Sequence, residues 1–219
     1  MIAVVDYCKG NLRSVERGLI NAGGDARITD DPNVIAQAKA IVLPGVGAFA
    51  DASATMLKTG QMQAIRDAIA QGKPFLGICL GEHLLFEEGT EGAERAEGLA
   101  VLPGVVDRIP EFDGQGRRYK VPHVGWNSIE FDEGCSCPLL AGVTPGEYFY
   151  FTHSYVAPDT QATVATTTHS ITFPCVVQKG ALVFGVQFHP EKSSDAGARV
   201  LSNFVNWWVV KASGRCTIR

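Results

Sequence analysis

The chain has 219 residues, 46% hydrophobic and 19% charged, the balance of a soluble globular protein with room for one sizeable α/β domain or two small ones. A net charge of −4 without a basic block argues against nucleic acid as a partner, and no apolar run approaches the roughly 18–20 residues of a membrane span. The six cysteines (Cys8, Cys79, Cys135, Cys137, Cys175 and Cys216) are scattered without a C-x-x-C pair, which suits a reducing cytoplasm better than a disulfide framework.

Met1-Ile-Ala-Val-Val-Asp6 enters a strand directly and has no basic leader, so no signal peptide is expected. Ile2–Val5 reads as an apolar strand, followed by a turn and then a helix that Asn11 can cap, with Leu12, Val15, Leu19 and Ile20 at helical spacing. Ala26–Thr29 is a second strand, Val34–Ala38 a short helix, and Ala40–Leu43 a third strand that runs into Pro44-Gly-Val-Gly47. Thr55–Gln71 is expected as one helix closed by Gly72. Alternating strands and helices, with apolar strands, predict an open, largely parallel sheet covered by helices. After a Glu- and Gly-rich run, Glu87–Gly98, expected to be exposed, the character changes. Val105–Ile109, Trp126–Phe131, Tyr148–Tyr155, Ala162–Thr168, Val176–Lys179 and Ala181–Phe188 read as strands with little helix between them, an antiparallel or mixed extension. A last helix, Asp195–Lys211, carries Val200, Leu201, Phe204, Val205 and Trp208 on one face, with Ser193, Ser194 or Asp195 as its cap.

The stretch Lys73–Phe86 reads as a buried strand, a tight turn and a helix reaching about Glu88. Gly77-Ile-Cys79-Leu-Gly81 has the spacing of a nucleophile elbow with Cys in place of Ser. The glycines are needed because a Cβ on either flank would crowd the neighbouring backbone. Cys79 would stand at a helix N-terminus, where the dipole favours thiolate. A structural Cys between two ordinary glycines fits the pentapeptide alone equally well.

A Cys nucleophile needs a base, and the base needs an orienter. Among five histidines, His189 ends a strand in Gly185-Val-Gln-Phe-His-Pro-Glu-Lys192. Glu191 can accept its second ring N–H and fix the tautomer. The backbone N–H of Leu80 supplies one oxyanion donor, and the glycine-rich exit Pro44–Gly47 could supply a second. Cys135-Ser-Cys137 lacks a matching pair and is read as structural, with no metal.

The elbow together with Phe188-His-Pro-Glu-Lys-Ser193 resembles the class I (triad) glutamine amidotransferases. Asp6-Tyr7, Gly10-Asn-Leu-Arg-Ser-Val15, Leu43-Pro-Gly-Val-Gly-Ala-Phe49, Pro122-His-Val-Gly-Trp-Asn127 and His153-Ser-Tyr155 are similar, within that class, to glutaminase subunits of imidazole glycerol phosphate synthase. The resemblance covers essentially the whole chain and implies one amidotransferase domain over residues 1–219 with a flavodoxin-like core. It implies that Cys79 attacks the side-chain amide of glutamine to form a thioester, that His189 shuttles the proton, and that Glu191 orients His189. It places Gly45, Val46, Gly47, Leu80, His83, Ser154 and Tyr155 at the oxyanion and glutamine site. It places Asn11, Trp126 and Lys192 at the partner interface and ammonia gate. No cofactor is implied; the partner would be a (β/α)8-barrel cyclase in a heterodimer, which takes the ammonia for histidine biosynthesis in the cytoplasm.

Departures from the family pattern stand out at two places, the adjacent Glu82 and His83, and Cys8. Gln is usual where His83 stands, so His83 is expected to substitute as a glutamine ligand, to weaken the glutaminase, or to be an ordinary helix-surface residue. Glu82 replaces a common Met and is expected to face outward or toward the partner, since a carboxylate facing Cys79 would disfavour its thiolate. Cys8 stands where Gly is usual and is strained if φ is positive. An amidotransferase subunit of another pathway, and a silent subunit that only binds its partner, remain the alternatives.

Overall fold

A computed structural model describes residues 1–212, with side chains through Trp207. Its central sheet has seven strands in the order Thr163–Thr168, Thr172–Lys179, Val183–Val186, Phe75–Cys79, Ala40–Gly45, Ile2–Val5 and Ala26–Thr29. The last five run parallel, and the first two are antiparallel additions at one edge. The open, largely parallel sheet with an antiparallel extension is therefore present. Ile2–Val5, Ala40–Gly45 and Phe75–Cys79 are buried along their whole length because helices cover both faces. Val4, Val42 and Leu76 pack on one side with Val15 and Leu19 of helix Leu12–Asn21 and with Leu201 and Phe204 of helix Ser194–Ala212. Val5, Ile41 and Phe75 point the other way, against Phe49, Met56 and Ile65. Each such side chain contributes roughly 1.5–3 kcal/mol on burial, so this two-sided core fixes the strand ends that carry the site.

The expected helix Thr55–Gln71 is two helices, Phe49–Thr59 and Gln61–Ala70, because Gly60 takes a left-handed φ of 79° and stops the first. The helix after the elbow is one turn, Leu80–His83, rather than a run to Glu88. Leu84, Leu85 and Phe86 are fully buried, and their carbonyls accept hydrogen bonds from Leu99, from Val101 and Leu102, and from Ala100. The chain thus meets its backbone needs across a second sheet, not along a helix. That sheet has the order Tyr155–Val156, Leu102–Arg108, Phe86–Gly89, Ala96–Glu97, so the Glu- and Gly-rich run is partly strand. The expected strand Tyr148–Tyr155 breaks at Ser154: Tyr148–His153 pairs with His123–Ser128, while Tyr155–Val156 joins Leu102–Arg108. Asn11 occupies the cap position of its helix without a side-chain capping bond. Trp208, expected on the apolar face of the last helix, lies outside the described side chains.

Candidate active site

Cys79 ends its strand with φ 54° and ψ −108°, a strained conformation for a residue with a side chain. A Cβ on Gly77 would strike the backbone of Gly81, and one on Gly81 would strike the Leu43 carbonyl. Both glycines are therefore required for the turn. Cys79 is in register with Gly45 on the neighbouring parallel strand, so the elbow and the Pro44–Gly47 exit open at the same, carboxyl end of the sheet. A one-turn helix carries little aligned dipole, so the charge partner of the sulfur has to come from elsewhere.

It comes from the strand Val183–Val186, which pairs parallel to the elbow strand. Beyond it, Gln187 and His189 follow Gly185 at every second position and so share the side facing the elbow, as an extended chain requires. His189 is 2% exposed, and its Nδ1–H donates to Glu191 Oε1 at 3.0 Å. Its Nε2, buried without a formed hydrogen bond, is the nitrogen left to address Cys79. Burial opposes a charge on His189, but attraction to Cys79 and Glu191 outweighs it and raises the pKa to about 10. The Ser193 hydroxyl donates to the His189 carbonyl at 2.7 Å and accepts from Tyr150 N–H at 3.0 Å, which locks the His-Pro-Glu turn.

A cavity of about 280 Å³ opens over the sulfur, at the small end of ligand pockets. Val46, Gly47, Cys79, Leu80, His83, Ser154 and Tyr155 all line it. Gly45 does not line it; it is buried beneath, where a Cβ would collide with the Tyr7 hydroxyl. Ser154 and Tyr155 reach the wall because the chain breaks pairing there, and His153 Nδ1–H donates to the Tyr155 carbonyl at 2.9 Å. Trp126 stands edge-on to Tyr150 at 6.2 Å, and Lys192 Nζ lies 5.7 Å over the same ring. Both are exposed, and Asn11 begins a helix that packs against Pro190–Lys192. Val124 and Tyr148 extend the exposed apolar face around Trp126.

His83 is 3% exposed, and burial lowers its pKa to about 4 against the opposing hydrogen bond to Gln187, so the ring is neutral at pH 7. Its Nε2 is 2.8 Å from Gln187 Oε1. Gln187 is fully buried, and its Nε2 lies 3.8 Å from Cys79 Sγ.

Glu82 does not face outward. It is fully buried, and neither carboxyl oxygen has a hydrogen-bond partner. The one-turn helix is wedged against the sheet, and Gly185 leaves the space: a Cβ there would lie 2.8 Å from Glu82 Cγ. Burial, and then the charge of Cys79, push this carboxyl well above the usual carboxylate range. Cys8 is exposed and has the positive φ that would strain it, 72°.

The sequence did not single out Gln187, Glu91, Thr152 or His153, of which the last three also line the cavity. Gln187 had a signal, a polar residue two before His189 at the end of a buried strand. Glu91 had none, because its Glu-rich segment looks like solvated surface. Among the described residues no group of three or more His, Cys, Asp or Glu converges as metal ligands.

Residues 3–207 match the family model for class I glutamine amidotransferase. The chain is 45% identical over 206 residues to the imidazole glycerol phosphate synthase subunit HisH of Caldanaerobacter subterraneus subsp. tengcongensis, covering 93% of this chain and 97% of that one. It is 47% identical over 220 residues to the HisH of Salinibacter ruber, covering 98% of each. Among solved structures, a glutamine amidotransferase aligns with TM-score 0.70 at 20% identity over 94% of this chain and 98% of its own. PurLQS from Thermotoga maritima aligns with TM-score 0.67 at 20% identity over 94% of this chain and 98% of that one. At that identity these two structures speak for the fold alone.

Proposed function

The chain belongs to the class I glutamine amidotransferases and, within them, to the HisH subunits of imidazole glycerol phosphate synthase, and on that footing we propose how its residues divide the reaction. It hydrolyses glutamine and supplies ammonia to a cyclase subunit in histidine biosynthesis. Cys79 is the nucleophile, His189 the acid–base group and Glu191 its orienter. His189 already holds the thiol proton on Nε2, and the sulfur adds to the carboxamide carbon. Backbone N–H groups of Leu80 and of the Val46–Gly47 segment receive the developing oxyanion. His189 then protonates the departing nitrogen, ammonia leaves, and a γ-glutamyl thioester remains. Water, deprotonated by His189, hydrolyses it to glutamate and free Cys79. The observation that carries this reading is His189 between Glu191, at 3.0 Å, and Cys79 under one small cavity.

Glu91, a carboxylate on the cavity wall, suits the α-ammonium of glutamine. His83 lines the same cavity with a neutral ring and contributes to its wall as a glutamine ligand. Asn11, Trp126 and Lys192, with the exposed apolar face around Trp126, form the surface offered to the partner, a (β/α)8-barrel cyclase in a cytoplasmic heterodimer. Direct transfer has a chemical reason, since ammonia released to water at neutral pH would protonate and lose its nucleophilicity.

The test is glutamine hydrolysis by the purified chain, alone and with its cognate cyclase carrying a substrate analogue. Strong stimulation by the cyclase is expected. Cys79→Ala should lose glutamine-dependent ring closure by about a thousandfold or more, with ammonia-dependent closure retained. Loss of both activities in that variant would contradict the division of labour. No hydrolysis by the wild-type complex would leave a subunit that only binds its partner.

A further inference from the structure

Gln187 is 0% exposed and makes two side-chain hydrogen bonds, both within the site. Its Oε1 is 2.8 Å from His83 Nε2, and its Nε2 is 3.8 Å from Cys79 Sγ. Its backbone N–H is held separately by the Cys175 carbonyl at 3.0 Å, so the side chain is free of any role in strand pairing. The sulfur is thus what meets an amide donor that would otherwise be stranded in the core. Such a stranded group is costly, and a hydrogen bond to a charged acceptor is stronger than one to a neutral acceptor. His83 decides which end of the amide faces the sulfur. With a proton on Nε2 it donates to Oε1 and turns the NH2 group toward Cys79. The opposite orientation would set a carbonyl oxygen against the lone pairs of the deprotonated sulfur.

We propose that Gln187 is a further catalytic group: its side-chain N–H, aimed by His83, donates to the Cys79 sulfur and holds it as a thiolate opposite His189. This rests on Cys79 being the nucleophile of the proposed glutaminase. Gln187 touches the reacting atom, whereas His83 acts on it through Gln187 and is, in this role, a positioning residue. His83 presents Gln187 with one ring nitrogen, 2.8 Å from Oε1. Gln187 is not among the residues lining the cavity, so its removal should lower kcat and leave KM nearly unchanged.

The experiment is alkylation of the full-length chain by iodoacetamide across pH, read by mass spectrometry on the Cys79 peptide so that the other cysteines do not interfere. Gln187→Met removes the donor, and Cys79 alkylation at pH 7 should fall about three- to tenfold, the pH profile moving upward. Gln187→Leu removes the donor and the acceptor for His83 together, and should fall at least as far. It also decides the matter should Gln187→Met fail to fold. His83→Ala should give a smaller fall, and the double variant His83→Ala/Gln187→Met should react no more slowly than Gln187→Met alone. Unchanged alkylation rates and profiles in folded Gln187→Met and Gln187→Leu would overturn the proposal, whatever happens to their melting temperatures. Additive losses in the double variant would overturn the role given to His83. Glutamine hydrolysis by the wild-type complex, run in parallel, tests the glutaminase reading separately, because alkylation needs no glutamine.

Discussion

His189 and the pair His123–His153 are buried almost equally, at 2%, 5% and 7% exposure, yet they are driven to opposite charge states. Burial penalises an imidazolium in all three. At His189 the penalty is overcome by Cys79 and Glu191, and the pKa rises to about 10. At His123 burial is reinforced by the neighbouring His169, and the pKa falls to about 4. His153 is lowered further by burial, against a hydrogen bond to the Tyr155 carbonyl. The neighbours of a buried histidine, and not its depth, therefore decide whether it can accept the proton of a nucleophile. Only His189 has a carboxylate within hydrogen-bond distance of its ring among these three.

The sharpest way to break this contrast is Glu191→Gln. It keeps the shape of the turn, removes the charge that helps hold His189 protonated, and allows the wrong tautomer. Glutamine hydrolysis by the complex should fall about 10²–10⁴-fold. The sign of the stability effect follows from the raised pKa. The unfolded histidine loses its proton near pH 6.5 and the folded one near 10, so the contribution of this charge is complete below pH 6.5 and is lost as pH rises through 10. Glu191→Gln should flatten that alkaline decline in melting temperature. Hydrolysis within threefold of wild type would remove Glu191 from the mechanism.

Glu82 extends the comparison to a carboxyl with no compensating neighbour. Its folded-state pKa is raised, so above about pH 4.5 the unfolded chain releases a proton that the folded chain retains, and stability falls as pH rises toward the folded value. Glu82→Met fills similar volume without the stranded oxygens. It should stabilise the protein by roughly 1–3 kcal/mol at pH 7.5, with a gain that grows with pH. A melting temperature unchanged or lowered across pH 5–8 would show that Glu82 has a partner in solution.

The elbow and its histidine were legible in the sequence because their constraints are local. Gly77 and Gly81 mark a turn that tolerates no Cβ, and His-Pro-Glu places an acceptor two residues from its imidazole. The parallel half was legible for the same reason, since strands buried on both faces are apolar throughout. What failed depended on distant parts of the chain. Leu84–Phe86 continues a helical pattern, and only the carbonyl bonds to Leu99–Leu102 reveal that the helix has ended. The placement expected for Glu82, outward or toward the partner, followed from the harm a carboxylate facing Cys79 would do to its thiolate; it is wrong because the group can be buried as the neutral acid in the space left by Gly185. Gln187 shows its role only when the strand end is set beside the elbow.

The smallest effect is expected at the neutral pair. His153 Nδ1–H donates to the Tyr155 carbonyl, so its Nε2 is an acceptor and takes the proton of His123 Nδ1 at 3.0 Å. His123 Nε2 in turn accepts from Asn127 Nδ2 at 3.3 Å. Every tautomer in this chain is thereby fixed, and one added proton would break it. Because the folded pKa values lie below 6.5, the unfolded histidines bind protons first, and stability is lost as pH falls from 6.5 toward 4. His123→Phe can keep the stacking on Phe151 at 5.1 Å and on His169 at 4.3 Å while removing the donor. It should cost about 1 kcal/mol at pH 7.5 and less at pH 5, where the wild type has begun to lose what the variant no longer has. The same difference in melting temperature at both values would mean that His123 titrates alike in the folded and unfolded chains, and that the contrast with His189 is one of geometry and not of charge.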